Sequence, residues 1–528
     1  MESGSSSAIK TSPESKEAPP ERPAAVWTRR VIIAAFWAVA LFLGLPHWTW
    51  TTSLHRSTLP LEAMSSWAEG QACQLQYPLH ISLQSTDLPR DQLEDLTRQT
   101  ESVLNNWQTL PLHRYILSAG GANVSDSALV VQLETSDIQD SKATLRPWGS
   151  ILDVQHGLRT PEETKSAALF IATEMIKLFE DERASLFRLL KDSAFSQGIE
   201  SNPLSPERIA SLDGRTTRAF KYASSYHLTF SLFTPAASPS AWEIDEALER
   251  YISPLLAPLS SISSFTIDTQ VQLYAAFSPS IAGPVFKAEQ NKWTLHYGDL
   301  TGFVNAAEWP LSPGIGSGPT INFVLYVPSP DQRPLVIEEN EGTSWIIPQW
   351  GGVQILNPMG DSTSGLTEED LRPVMHTFAD QLAALLGVPP TPASLSLRIA
   401  SLFRERATTL VLSASSTLGA LSRLSLKLTS IAIPDSVAKS VDETLHRLEK
   451  ACGALQEGKF QSALEHARVA EAEVEKAFFE PSMVGQVYFP EEHKVAVYVP
   501  LLGPMAVPLI MSALKELKKL REKKQKGA

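Results

Sequence analysis

Residues 75–83 read LQYPLHISL, with large apolar side chains at Leu75, Tyr77, Leu79, Ile81 and Leu83 alternating with other residues. A period of two sends successive side chains to opposite faces of an extended chain, so the run predicts a strand with one buried face. Residues 89–107 follow with Leu93, Leu96, Val103, Leu104 and Trp107 in a polar remainder, which predicts an amphipathic helix. Strand-like runs recur at 115–118, 128–133, 144–154, 227–233, 265–277, 293–297 and 321–327, with helical runs at 161–191 and 242–259 between them. Strands alternating with helices predict a mixed α/β region over residues 51–392. No internal repeat is apparent, and the pattern does not order the strands.

Beyond residue 392 strand patterns fade. Residues 394–428 and 436–479 keep apolar positions three and four apart, broken at Ile433-Pro434-Asp435, where Asp435 is placed to cap the second run. Residues 393–480 therefore predict a helical hairpin or bundle, and 481–494 a segment returning toward the chain's end. The sixteen charge-free residues 407–422 contain seven Ser or Thr and are too short to span a bilayer.

The two ends are apolar. No Asp, Glu, Lys or Arg occurs between Arg30 and Arg56, and residues 31–50 predict a first transmembrane helix, with Trp48 and Trp50 at the headgroup layer. A cleaved signal peptide fits less well, because the segment starts some thirty residues into the chain and bulky residues follow it. Residues 495–514, VAVYVPLLGPMAVPLIMSAL, predict a second. Three prolines four apart would each cost a soluble helix about 3 kcal/mol, whereas a backbone in lipid has few alternatives to helix. Residues 1–30 predict a disordered tail carrying +1, and residues 515–528 a basic tail carrying +5. Since Lys and Arg stay on the cytosolic side, both termini are expected there, and subtracting their +1 and +5 from the formal −13 leaves −19 on a lumenal body.

Two small motifs agree with that topology. Asn123-Val124-Ser125 is the one N-x-S/T sequon and accepts glycan only in the lumen. Lys524 and Lys526 have the spacing of a cytosolic dilysine retrieval signal for the endoplasmic reticulum (ER).

The 528 residues are 43% hydrophobic and 20% charged with 37 prolines, which suits several folded cores with interrupted elements. The net negative charge excludes nucleic acid as a partner, because that binding draws on Lys and Arg. HExxH, G-x-S-x-G, P-loop and CxxC patterns are missing. Gly314-Ile315-Gly316-Ser317-Gly318 is flanked by Pro and reads as a loop, and Glu338, Glu339 and Glu341 as a solvated turn. Cys73 or Cys452 paired with a histidine would make a nucleophile and base, but packing or a single disulfide fits them better. No catalytic, cofactor or metal-binding residue is singled out. On the second span Ala496, Pro500, Gly503, Pro504, Val507 and Pro508 share one face, small or ring-flattened, that invites a membrane partner.

By the stretches Leu45-Pro46-His47-Trp48 with Trp50-Thr51-Thr52 and Arg56-Ser57-Thr58-Leu59-Pro60, Trp350-Gly351-Gly352 through Asn357-Pro358, Leu385-Leu386-Gly387-Val388-Pro389, the helical Ser415-Ser416-Thr417-Leu418 to Ile433 region, and Tyr488-Phe489-Pro490 through Tyr498-Val499-Pro500-Leu501, the chain resembles the PIG-S (phosphatidylinositol glycan class S) family. Little of that resemblance falls between residues 87 and 319. The resemblance implies a non-catalytic subunit of the GPI transamidase of the ER membrane, working beside a separate cysteine-protease-like catalytic subunit and the surrounding ER lipids. It carries no active-site residue to this chain. The competing expectations are a membrane-tethered lumenal cysteine hydrolase and an adaptor acting through the helical segment 436–479.

Overall fold

The computed structural model describes residues 22–52, 55–106, 112–120, 127–135, 141–157, 160–196, 204–275, 283–304, 318–358, 365–428, 431–483 and 491–526. The chain forms two compact units. One comprises Met1–Thr58, Ser425–Ala438 and Phe479–Ala528, the other Leu59–Leu424 and Lys439–Phe478.

In the larger unit the expected strands appear as β1 (Tyr77–Ser85), β2 (His113–Ala119), β3 (Leu129–Thr135), β4 (Lys142–Leu145) and β5 (Ile151–His156). The single strand expected over 144–154 is instead the β4–β5 hairpin, because residues 146–150, RPWGS, place Pro and Gly where the chain turns. Further along lie β6 (Ser225–Phe233), β7 (Ala241–Trp242), β8 (Ser264–Gln272), β9 (Val285–Lys287), β10 (Lys292–Leu295), β11 (Thr320–Tyr326), β12 (Leu335–Ile337), β13 (Ser344–Ile347), β14 (Gly351–Ile355) and β15 (Gly365–Leu366). The short β7 and β15 pair with each other.

The two large sheets repeat one topology. The first runs β2-β1-β3-β5-β4 and the second β8-β6-β11-β14-β13. Numbered within each sheet, both orders are 2-1-3-5-4, with four parallel strands and an antiparallel fourth strand at one edge. A helical segment joins the first two strands in each: Arg90–Asn106 in one, Ile244–Ala247 continuing through Ser253–Leu259 in the other. Another helix follows the last strand, Pro161–Leu178 and Glu368–Leu385, and both open on a Thr capping box, Thr160 with Glu163 and Thr367 with Asp370. The repeat absent from the residue pattern is thus present in the fold.

The sheets differ in what covers them. In the first, Leu79, Ile81 and Leu83 meet Leu93, Leu96, Ile171 and Met175 of the two helices. The opposite face bears Gln84, Gln132, Asp153 and Arg146, the last donating to Asp153 and Gln132, which is why β1 alternates so cleanly. In the second sheet Phe230 stacks on Phe323 with centroids 5.0 Å apart, and Phe378 of Glu368–Leu385 lies 5.1 Å from Phe323. Its other face, with Phe233, Val324, Tyr326 and Ile355, is covered by Leu295, Leu335 and Ile337 of the small sheet β12-β10-β9. β6 and β11 are buried on both sides; β6 alternates Tyr226, Leu228, Phe230 and Leu232 with His227, Thr229 and Ser231, whereas β11 reads as a nearly continuous apolar run.

The helical part departs from expectation in two places. Residues 161–191 form two helices, Pro161–Leu178 and Glu180–Lys191. Residues 436–479 likewise form two, Asp435–Gln456 and Phe460–Phe478, because Gly458 adopts φ +75° between them. Their apolar sides are buried, with Val441, Leu448, Leu455, Leu464, Ala467 and Val474 at 0% exposure, so no free coiled-coil face remains for the adaptor reading.

The smaller unit contains the ends. Pro23–Val39 passes through the π turn Ala40–Gly44 into Leu45–Thr52. Among the described residues one stretch, Pro23–His47, is long and apolar enough to cross a bilayer, with mean hydropathy 1.7. The expected second span lies within the continuous helix Glu491–Lys526, which keeps Pro500, Pro504 and Pro508 inside it.

The Trp350-Gly351-Gly352 phrase has a steric cause. A β-carbon on Gly351 would stand 1.8 Å from the Asn322 carbonyl oxygen on β11, and one on Gly352 would stand 1.9 Å from Gln381 Oε1. Gly453, within Asp435–Gln456, has nothing within 4 Å of that position. Gly351→Ala is therefore expected to destabilise the full-length chain by about 1–3 kcal/mol through overpacking. Gly453→Ala should stabilise it by up to about 1 kcal/mol through helix propensity. Opposite shifts of the unfolding temperature in detergent would show it; equal shifts would refute the steric account.

Candidate functional site

Cys73 and Cys452 are joined by a disulfide, and these are the only two cysteines of the chain. No thiol is left to act as a nucleophile, which overturns the cysteine-hydrolase reading. The bridge ties the segment before β1 to Asp435–Gln456 across 379 residues.

Ser57, His55 and Asp435 come together in the smaller unit and imitate a triad. His55 Nε2 lies 3.2 Å from Ser57 Oγ and 3.0 Å from Asp435 Oδ1, and Ser57 also donates directly to Asp435. One ring nitrogen thus meets both partners, so the ring cannot take a proton from Ser57 through one nitrogen while Asp435 orients the other. His55 and Asp435 are exposed and Ser57 is half-buried, in a junction where Arg56 bridges Ile433 and its guanidinium donates to the Ser425 and Leu428 carbonyls. The arrangement secures a chain crossing at the start of Asp435–Gln456.

The densest cluster of titratable groups is sealed inside the larger unit. Arg404, 1% exposed, donates to both carboxylate oxygens of Glu182 at 2.5 and 2.7 Å. His113 Nε2 lies 3.2 Å from Glu182, and the Arg404 guanidinium sits 5.0 Å over the Phe460 ring. Next to them Tyr77 pairs with Thr408 at 2.7 Å. Burial pushes the Glu182 carboxyl up, but the Arg404 guanidinium and the His113 ring outweigh it and hold the group well below the usual carboxylate range. Burial also raises the Tyr77 and Tyr115 hydroxyls. With Glu182, His113 and Arg404 all buried, the cluster offers substrate no access. It joins β2, two helices and Phe460–Phe478 into one body.

In parallel α/β sheets ligands bind outside the carboxyl ends of the strands, where the order reverses. In the first sheet that point lies between β1 and β3, where Asp87 accepts the Thr135 backbone N–H and hydroxyl, at 3.2 and 3.1 Å. Those bonds hold the Asp87 carboxyl low. In the second it lies between β6 and β11, whose last residues, Phe233 and Tyr326, are buried against the inserted small sheet. The Glu338–Glu341 turn spends its carboxylates on Lys287, Lys292 and the backbone N–H of Tyr297. Among the described residues no group of three His, Cys, Asp or Glu side chains is placed to hold a metal.

The terminal helices do come together. Arg29 and Arg30 both pair with Glu516, at 2.8 and 3.0 Å, and Glu516 is 8% exposed. Hydrogen bonds from Arg30 and Arg29 hold its carboxyl low. From that junction Ile33, Trp37 and Ala40 lead along one helix, and Ala513, Leu509, Ala506 and Gly503 lead back along the other, all half-buried. The two helices therefore run antiparallel. Of the face singled out in the sequence, Ala496, Pro500, Pro504, Val507 and Pro508 are exposed, on the side away from the N-terminal helix, and Gly503 is half-buried at its border. Lys524 and Lys526 fall in the last turns of Glu491–Lys526. Asn123 lies outside the described residues, in the connection between β2 and β3.

Residues 35–523 match the family of phosphatidylinositol-glycan biosynthesis class S proteins, PIG-S. A GPI transamidase component PIG-S homolog of Schizosaccharomyces pombe is 30% identical over 514 residues, covering 94% of this chain and 85% of that protein. The GPI-anchor transamidase component PIGS of Rattus norvegicus is 27% identical, covering 91% and 93%. The GPI-anchor transamidase component PIGS of Homo sapiens is 26% identical, with the same coverage.

Removing one partner of the buried pair leaves the other charged and unpaired. Glu182→Gln is expected to cost about 3–5 kcal/mol of stability. Because the folded carboxyl lies below its unfolded value, its contribution is complete above the unfolded carboxylate range and is lost as pH falls through and below it. Unfolding followed from pH 7 to pH 3 should show the native protein losing stability more steeply than Glu182→Gln. Parallel profiles would contradict this account.

Proposed function

The chain belongs to the phosphatidylinositol-glycan biosynthesis class S family, and on that premise we propose that it is a non-catalytic membrane subunit of a GPI transamidase, supporting attachment of GPI anchors to precursor proteins in the ER. The observation that carries this is a match over nine-tenths of the chain to proteins named as transamidase components. The disulfide and the sealed polar cluster agree with a structural role. The chemistry then belongs to a separate cysteine-protease-like subunit, against which the lumenal body docks.

In this reading the chain crosses the ER membrane twice, at 31–50 and 495–514. Residues 51–392 and 393–480 fold in the lumen, 481–494 lead back, and 1–30 and 515–528 are cytosolic tails. The pairing of Arg29 and Arg30 with Glu516 supports it, because it holds the two tails at the same end of an antiparallel helix pair. Lys524 and Lys526 then serve as an ER retrieval signal. The open stripe of Ala496, Pro500, Gly503, Pro504, Val507 and Pro508 meets the membrane helices of other subunits, where small residues permit close approach.

Glycosylation and complementation test the topology and the role separately. In this topology Asn123 is lumenal, so endoglycosidase H should increase mobility of the native chain and leave Asn123→Gln unchanged. Cells lacking the chain should lose surface display of a GPI-anchored reporter. The Cys73→Ser/Cys452→Ser variant should restore it at reduced temperature despite about 2–5 kcal/mol of lost stability. Failure of a folded, ER-resident double variant to restore display would count against a non-catalytic subunit.

A further inference from the structure

The edge of a sheet presents unpaired backbone donors and acceptors, and natural chains shorten, charge or cover such edges. The two large sheets end on β2, β4, β8 and β13. β4 and β13 are four residues long, and on β2 the Tyr115 carbonyl accepts from the Asn105 side chain at 3.1 Å. β8 is managed in none of these ways. It runs nine residues, SFTIDTQVQ, without Pro, Lys or Arg, and its register with β6 is continuous from Ser264 to Gln272, with no bulge to turn it aside.

The bonds at the two ends of β8 fix which way each residue points. Ser264 N–H donates to the Ser224 carbonyl, and the Gln272 carbonyl accepts from Thr234 N–H, so the even-numbered residues turn toward β6. The N–H and C=O groups of Phe265, Ile267, Thr269 and Val271 therefore point away from the sheet. Among the described residues none bonds to them, and Ile267, Thr269 and Val271 are exposed. The side chains of these four share the apolar face on which Phe265 stacks against Tyr226, 6.0 Å between centroids. On the other face Thr266 bonds to His227 at 2.8 Å and Gln270 to Ser231 at 2.9 Å. Asp268 Oδ2 lies 3.0 Å from His227 Nε2, and Asp268 remains exposed.

We propose that β8 is the docking edge for an extended segment of another polypeptide, which adds a sixth strand to the second sheet and carries a basic residue opposite Asp268. Main-chain bonds hold such a strand and its alternate side chains select it. One set meets Ile267 and Val271, and the set between them meets Thr266, Asp268 and Gln270. A second copy of this chain fits poorly. Asp268 is the middle residue of β8, so two copies paired antiparallel in full register would set one Asp268 directly against the other. The inference does not rest on the transamidase reading.

The test uses full-length protein in detergent and an end-capped, fluorescently tagged peptide, Val-Thr-Val-Lys-Val-Thr-Val, followed by anisotropy. Two N-methylated forms distinguish strand addition from adsorption. One blocks the N–H groups of the third and fifth residues, the other those of the second and sixth, on the opposite edge of the peptide. One form should bind about tenfold more weakly and the other like the parent; the form that is lost reports whether the added strand runs antiparallel or parallel. Lys replaced by Glu in the peptide should also cost about tenfold, and Asp268→Lys should reverse that order. Thr269→Pro removes an outward donor without touching the β6 ladder, so it should weaken binding and leave the unfolding temperature unchanged. No binding of the parent peptide, an equal response to the two N-methylated forms, or indifference to Thr269→Pro overturns the proposal. Dimers of the chain that Thr269→Pro dissociates would overturn it too, by giving the edge to a second copy. Should Thr269→Pro fail to fold, the N-methylated pair and Asp268→Lys decide, since neither changes the protein backbone.

Discussion

A guanidinium buried in a protein interior must be neutralised where it sits, and Arg404 meets that demand by drawing separate parts of the fold onto itself. Glu182 satisfies it with both oxygens, Phe460 lies over its face, and His113 completes the carboxylate's shell from β2. The partners lie 222 residues apart in sequence for Glu182 and on a different helix for Phe460. An apolar residue would fill the space with less desolvation cost, but it would not specify which helix meets which sheet. The Cys73–Cys452 bridge imposes a second long-range tie on the same body, from the segment before β1 to Asp435–Gln456. The helical part is thereby fixed against the first sheet.

The repeated 2-1-3-5-4 topology bears directly on function. Such sheets usually bind ligands at the carboxyl ends of the central strands, yet here both reversal points are occupied by the chain itself. Asp87 bonds across to Thr135 in one sheet, and an inserted small sheet covers Phe233 and Tyr326 in the other. The insertion also covers Val324, Tyr326 and Ile355 of the second sheet, while the first keeps a polar face.

Much of this was legible in the residues. Period-two alternation locates β1 because one face of that sheet is polar, and β6 because Tyr226, Leu228, Phe230 and Leu232 alternate with His227, Thr229 and Ser231, while β11 is located by its apolar stretch from Phe323 to Tyr326. The apolar end of Pro23–His47 announced itself by composition alone. Other features could not be read. The β4–β5 hairpin looked like one strand because its turn is short, and the helix Glu368–Leu385 went unseen, although Thr367 and Asp370 form the capping box that begins it. Two cysteines define only one intramolecular pairing but not whether it forms, since that depends on a Cα–Cα separation of 6.1 Å created by the fold. The repeat was invisible because strand order and direction depend on hydrophobic patterning rather than on residue identity, and the different covers of the two sheets changed the patterning itself.

Arg29, Arg30 and Glu516 tie the two ends of the chain together. Charge beside an apolar helix suggests the membrane boundary in sequence, and the structure adds that the charges on the two ends are opposite and paired. With Glu516 buried, this ion pair is screened less than one in open water and is worth more. The two terminal helices can therefore hold each other in register, with Ala506 and Ala513 half-buried on the inner side and Pro500, Pro504 and Pro508 exposed on the outer one.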